Sequence, residues 1–390
     1  MAKKTLLVSS DKNVIDDEGK CIINGKEMDG NDPVDEMRSY YKEYLSNHFE
    51  NLVILTGAGS SIGIGKARQG KTRIELWKSV KAIVTEDVLK EFCSAIRYNY
   101  PASDNESDIE FMLSQAYKSD GFVEDKLPCG EKVKEIINKI QAQIVEDCTL
   151  DLPDINSPHQ ILLSKATVRK LKYPRLKIFT LNYDTLFEQS ANKGRYTVID
   201  GFSFTIPRTF NGLYFDYDFV IREKSRIKNE ENYVSRVFHL YKPHGSLDWE
   251  RQHGDDAILK KDTVVNPLII YPKDSKYESS YEQPYFEMIS RFQQTLRMQN
   301  VQLICIGFSF YDKHISTMIR EAVESNQSFR LMIVNSDIEP NDYLGWFKEK
   351  AKHSRNIMLV AEKFKDFAEH YPYPSAYDDR DLIESERKEA

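Results

Sequence analysis

Paired cysteines are what this 390-residue chain most plainly lacks. Its five cysteines (Cys21, Cys93, Cys129, Cys148, Cys305) are scattered without a C-x-x-C pair, which argues against a paired-cysteine zinc module and a disulfide framework alike. Long apolar runs are missing too, since none approaches the roughly 20 residues that span a bilayer. The basic pair Lys3-Lys4 precedes an apolar stretch too short for a signal-peptide core, so the expectation is a soluble, cytoplasmic protein. Positive charge is not in excess: 54 Lys and Arg stand against 61 Asp and Glu, a net charge of −7, and no direct nucleic-acid binding is expected. There is no internal repeat and no low-complexity tract. What is there is a globular composition, 41% hydrophobic, with length for a large core.

Along the chain, residues 1–31 alternate short apolar runs with turn signals, and Asn24-Gly25 is the dipeptide favoured in two-residue hairpins. Asp32-Pro33 reads as an N-cap followed by proline at the first helical position, opening a helix to about residue 47. We take 1–48 as a β element and helix, with Tyr40 and Tyr44 as candidate assembly contacts or a packed core face. Leu52-Val53-Ile54-Leu55-Thr56 is a buried-strand pattern running straight into glycines. The stretch of about 71–172 lacks strand patterning and has helical spacing at Val133, Ile136, Ile137, Ile140 and Ile144, which predicts a helical insertion. Strands are then expected at 176–181, 237–241, 264–271, 301–306, 330–334 and 357–360, with helices at 184–191, 312–325 and 341–352. This alternation predicts an α/β fold, a doubly wound parallel sheet of Rossmann-like type, over 49–371. Residues 372–390 form a charged tail.

Several strand ends carry candidate chemistry. Gly57-Ala58-Gly59-Ser60 would let backbone approach a pyrophosphate, or would simply be a tight turn. Downstream, 65–72 matches the P-loop pattern G-x-x-x-x-G-K-[ST] in full, yet it begins nine residues past the strand. A flap or an exposed loop is the better expectation there. Asn182 stands at a strand's carboxyl end, where an amide can hold a ribose hydroxyl or a water, or merely form a turn. Asp184 is a ligand or a helix N-cap. His244, just past another strand and before Gly245, is of the type that takes a proton near neutral pH, whereas His239 lies within that strand and reads as structural. Gly307, Ser309 and Asn335 (or Asp337) follow later strands and could line the phosphate and adenosine side of a cleft.

In order, Gly57-Ala58-Gly59-Ser60, Thr180-Leu181-Asn182-Tyr183-Asp184, His244-Gly245, Gly307-Phe308-Ser309 and Val334-Asn335 resemble the motif series of the sirtuin superfamily. The chain departs from protein-deacylating sirtuins in lacking their four paired cysteines and the Pro-Asp-Phe-Arg segment after the glycine turn. It is more similar to the bacterial sirtuin-like branch, with Asn-Tyr-Asp-x-Leu-x-Glu at 182–188 and the later Pro267-Leu268-Ile269-Ile270-Tyr271-Pro272. That resemblance implies a sirtuin-type Rossmann fold without a zinc module or metal. It implies NAD as substrate and an NAD-depleting role in anti-phage defence, with Asn182 and His244 as the catalytic pair. Gly57, Ala58, Gly59, Ser60, Asp184, Gly307, Ser309 and Asn335 would hold the dinucleotide. It also implies a homo-oligomer and a HerA-type ATPase partner.

Overall fold

Six consecutive buried residues in each of Asn51–Thr56 and Val301–Ile306 identify strands covered on both faces, the pattern of a parallel sheet's centre. The computed structural model describes residues 3–46, 49–119, 123, 126–170, 173–221, 233–252, 256–270, 283–339 and 341–373. Numbered along the chain, the central strands are β5 (Asn51–Thr56), β6 (Leu176–Thr180), β7 (Thr197–Ile199), β9 (Val237–Tyr241), β14 (Val301–Ile306), β15 (Arg330–Asn335) and β16 (Ile357–Ala361). They run parallel in the order β16-β15-β14-β5-β6-β9-β7. The sheet therefore grows one way from β5 through β6 and β9, then restarts at β14 and grows the other way. The order reverses between β5 and β14, and open α/β sheets bind ligands beyond the strand carboxyl ends at such a point.

Register sets the strand ends level there. Ile306 pairs with Thr56, Thr56 with Thr180, Val334 with Ile306, and Tyr241 with Phe179. Gly57, Gly307, Asn335, Leu181 and Lys242 consequently leave the sheet at nearly one height. The connecting helices are α7 (Leu186–Lys193), α8 (Tyr285–Leu296), α9 (Lys313–Ser325), α10 (Gly345–Ala351) and α11 (Phe364–His370). The expected doubly wound α/β sheet is the observed one.

The N-terminal β element is part of the same sheet. β1 (Lys4–Val8) pairs antiparallel with β16, and β2 (Asn13–Asp17), β3 (Lys20–Ile23) and β4 (Lys26–Met28) continue it as a meander. The β3–β4 turn places Asn24 at φ 50° and Gly25 at φ 80°, the double left-handed conformation that Asn-Gly favours. Asp32 caps α1 (Pro33–Leu45) by accepting from the Val34 and Asp35 amides, and Met37, Tyr41 and Leu45 are buried. Tyr40 and Tyr44 are partly buried against the same core.

Helices α2 (Arg73–Ile83), α3 (Glu86–Ala95), α4 (Ile109–Lys118) and α5 (Val133–Cys148) bury a second core of their own, including Trp77, Phe92, Met112 and Ile140. The stretch expected to be insertion to residue 172 divides here. Its last helix, α6 (Pro158–Ala166), packs Leu162, Leu163 and Ala166 into the sheet's core instead. Two small sheets form beside the main one, β8 (Arg208–Thr209) with β12 (Ile258–Lys260) and β11 (Trp249–Arg251), and β10 (Gly245–Ser246) with β13 (Leu268–Ile269). Among the described residues of the strand expected at 264–271, β13 is the part that forms. Tyr271, Pro272 and residues 374–390 of the tail lie outside the described residues.

Candidate functional site

β5 ends at Thr56 and the chain enters a 3-10 turn, Ala58–Ser60. The Gly57 amide donates to Ile306 O, Gly59 to Gly307 O, Ser60 to Gly57 O and Ser61 to Ala58 O. These four donors are spent inside the protein, and Ala58 is the exposed member of the turn. The glycines serve close approach: a Cβ on Gly59 would lie 2.7 Å from Gly307 Cα, and one on Gly307 would lie 2.5 Å from the Gly59 carbonyl carbon. Gly307 also sits at φ +61°, a conformation costly for any residue with a Cβ. Gly307→Ala is therefore expected to lower unfolding free energy by about 2 kcal/mol or more, combining overpacking with backbone strain. A denaturant titration that leaves the midpoint unchanged would refute this interlock.

Asn182 leaves β6 beside that turn. Its Nδ2 donates to Gly57 O (3.0 Å), Ser60 Oγ (3.0 Å) and Ser61 Oγ (2.8 Å). The orientation of the amide follows from the partners. A backbone carbonyl can only accept, Ser60 Oγ gives its own hydrogen to Gly57 O, and Ser61 Oγ gives its hydrogen to Asp184 Oδ2. The NH2 group is therefore locked inward, and Oδ1 is left as the acceptor directed away from the turn. Asp184 is buried, with Oδ2 taken by Ser61 and Oδ1 by the Leu186 amide at the start of α7. The N-cap position itself falls to Thr185, so Asp184, one residue earlier, is not the helix cap expected of it; it receives the first helical amide and anchors the glycine turn.

His244 follows β9 on the other side. Its backbone carbonyl accepts from Ile270 N, and Gly245 at φ +88° lets the chain pair with β13, where a Cβ would lie 2.1 Å from Leu268 O. The imidazole is nearly buried, with Nε2 3.1 Å from Asp312 Oδ2. Asp312 is the N-cap of α9, where its Oδ1 accepts from the His314 and Ile315 amides. Sequence reasoning marked Asp312 only as a helix start. The spacing that brings it to His244 is a product of the β9 and β14 ends, and no local pattern carries it.

Lys242 joins the two loops. Its ammonium, 1% exposed, donates to Asp184 O (2.5 Å), Ser246 Oγ (2.7 Å), Glu188 Oε1 (3.2 Å) and Tyr183 O (3.3 Å). The loops are also laced by Leu247 N to Tyr183 O and by Tyr183 Oη to Ile270 O. Behind Lys242 lies a buried charge network in which Lys260 reaches Asp200 (2.9 Å), Asp248 (3.4 Å) and Glu188 (3.8 Å), and Arg208 reaches Asp200 (2.7 Å). Burial pushes Glu188 up, only partly offset by Lys242 and Lys260. Burial also works against Asp248 and Lys260, but the opposite charges around each prevail. Asp248 is held below the usual carboxylate range and Lys260 above the usual lysine range.

The remaining expected residues lie along the same rim. Asn335 Nδ2 donates to Phe308 O (2.9 Å) and so braces the Gly307 turn, while Ser309 is exposed and its hydroxyl accepts from Tyr311 N. The P-loop-like stretch is closed by a bridge between Ile62 and Gly70. Its cations pair with the end of the helical insertion and the segment after it, Lys66 with Asp154, Arg68 with Glu146 and Lys71 with Asp147, and Lys71 also donates to Ser79 of α2. A lysine so engaged is not presented to a phosphate. The helical insertion also reaches the rim through Asp108, the N-cap of α4, which accepts from Tyr311 Oη at 2.6 Å. His239 is buried within β9, and burial lowers it to about 3, as expected of a structural histidine. Among the described residues no three His, Cys, Asp or Glu side chains are grouped to hold a metal ion, and no helix is long and apolar enough to cross a membrane.

Comparison with known families matches residues 176–373, just over half the chain, to the model described as SIR2-like domain. A search of curated proteins returned no match. The matched span carries Asn182, His244, Gly307, Asp312 and Asn335, while the Gly57–Ser61 turn to which Asn182 is bonded precedes it. The chain thus belongs to the SIR2-like domain family, a family of NAD-dependent enzymes.

Proposed function

We propose that the chain is an NAD glycohydrolase that cleaves NAD to nicotinamide and ADP-ribose. The observation carrying this reading is the pairing of an inward-locked Asn182, with Oδ1 outward, and a His244–Asp312 pair at the ends of neighbouring strands. Asn182 is bonded to the turn after β5 and Asp312 follows β14, the two strands between which the order reverses. Gly57, Gly59 and Gly307 let the turns after β5 and β14 pack directly on each other at that point. Cationic nicotinamide is a good leaving group, so the protein's work is to steady the ribose, place a water and accept a proton. Asn182 Oδ1 would hold the water or a ribose hydroxyl, and His244 would take the proton.

Unrestrained NAD hydrolysis is toxic, which makes restraint part of the proposal. The Tyr311–Asp108 bond and the ion pairs of Lys66, Arg68 and Lys71 hold the helical insertion against the site's rim. The exposed pairs among them, Lys66–Asp154 and Arg68–Glu146, are each worth about 0–1 kcal/mol, so a partner or assembly step can displace them. The family resemblance gives that step its context: an NAD-depleting effector of anti-phage defence, assembled as a homo-oligomer with a HerA-type ATPase. The test is release of nicotinamide and ADP-ribose from NAD by the purified chain, with and without such a partner, beside His244→Ala. Release by the native chain that vanishes in the variant is expected. NAD bound but never cleaved would instead make the chain a non-catalytic NAD-binding regulatory subunit.

A further inference from the structure

We infer that Asp312 is a positioning residue that holds the proton of His244 on Nε2, so that the ring's lone pair lies on Nδ1. The inference rests on the glycohydrolase reading only for its consequence in turnover; the proton's location is a property of the folded chain itself. A helix cap accounts for half of Asp312. Its Oδ1 accepts from His314 N (3.0 Å) and Ile315 N (3.4 Å), and Asn or Ser would cap about as well. The cap leaves Oδ2 unexplained, and Oδ2 lies 3.1 Å from His244 Nε2, with both side chains 9% exposed. An ionised carboxylate has no hydrogen to give, so the bond requires Nε2–H. In a neutral imidazole one nitrogen donates and the other carries the lone pair, so the partner of the first decides the identity of the second.

The cap also dictates what asparagine would do in the same place. Its Oδ1 must face the His314 and Ile315 amides, because an NH2 group cannot accept from them. The NH2 group then falls where Oδ2 was and points a hydrogen at Nε2. His244 must answer with a lone pair at Nε2, and its proton moves to Nδ1. Asp312→Asn therefore preserves the helix cap and inverts the tautomer, separating the two roles of one side chain.

The experiment is nitrogen-15 NMR of histidine-labelled full-length chain, above the pH at which His244 is neutral, with the His244 signals assigned by their absence in His244→Gln. The native chain is expected to show a protonated Nε2 and an unprotonated Nδ1, and Asp312→Asn the reverse. NAD turnover by Asp312→Asn is expected to fall about 10²-fold, within what a general base contributes, mostly in kcat with KM little changed. If Asp312→Asn folds poorly, Asp312→Ser keeps a capping oxygen, removes the carboxylate, and is expected to show a tautomer mixture. A native chain carrying its proton on Nδ1 would overturn the inference, as would an inverted variant with native turnover. If the tautomers behave as expected while the native chain cleaves no NAD, the glycohydrolase reading falls and the assignment to Asp312 stands.

Discussion

Replacing Asn182 by alanine is expected to lower NAD cleavage by about 10³-fold, the scale on which misplacing a reacting group and losing a positioned hydrogen-bonding partner combine. The side chain is not a free-swinging amide. Three acceptors, Gly57 O, Ser60 Oγ and Ser61 Oγ, hold its NH2 group, so the direction of Oδ1 is fixed before any ligand arrives. Alanine removes that acceptor and leaves three partners of the glycine turn without their shared donor, at roughly 1–3 kcal/mol of stability. Asn182→Asp sharpens the result. It keeps the shape but sets a carboxylate against Gly57 O, so it should be as inactive as alanine. Nicotinamide release at saturating NAD is the measurement, with circular dichroism to establish that each variant is folded. A folded Asn182→Ala that retains a tenth of native turnover would remove Asn182 from the mechanism.

Lys242→Met is expected to be the most destabilising single substitution near the site, by about 3–5 kcal/mol, because removing one partner strands a buried opposite charge. The Glu188 carboxylate, the Asp184 carbonyl and the Ser246 hydroxyl lose this donor together, while the Tyr183 carbonyl keeps the Leu247 amide. Methionine fills the volume, so the loss is polar and not a cavity. The control is the double variant Lys242→Met with Glu188→Gln, which removes the stranded charge and should recover part of the loss. Urea midpoints of the native chain, both single variants and the double variant form the cycle. A loss below about 1 kcal/mol for Lys242→Met would place this lysine with surface ion pairs such as Lys66–Asp154 and end its role as the brace between the Asn182 and His244 loops.

Strand positions were legible because burial on both faces leaves continuous apolar runs. Val237–Tyr241 and Val301–Ile306 form where those runs predict. The Asn24-Gly25 hairpin and the Asp32-Pro33 helix start were legible for a different reason, since both are decided within a few residues by backbone conformation and capping. Pairing was not legible. That β1 would lie antiparallel to β16, or that α6 would leave the insertion to join the sheet's core, depends on which surfaces meet after the chain has folded back. The P-loop match shows the limit of a local pattern from the other side. Its lysine fits the pattern, yet the chain places it against Asp147.

The sequence by itself determined the fold class, the strand ends that would face a ligand, and the residue types standing at them, because periodicity and turn chemistry act over short distances. Only the tertiary structure decided what those residues do for one another. Asn182 is oriented by a glycine turn more than 120 positions away, and His244 meets a carboxylate 68 positions downstream. Lys242 ties two loops that share no local motif. Such roles arise from level strand ends in a parallel sheet, where register and crossover connections bring distant segments to one edge, and no spacing along the chain encodes that meeting.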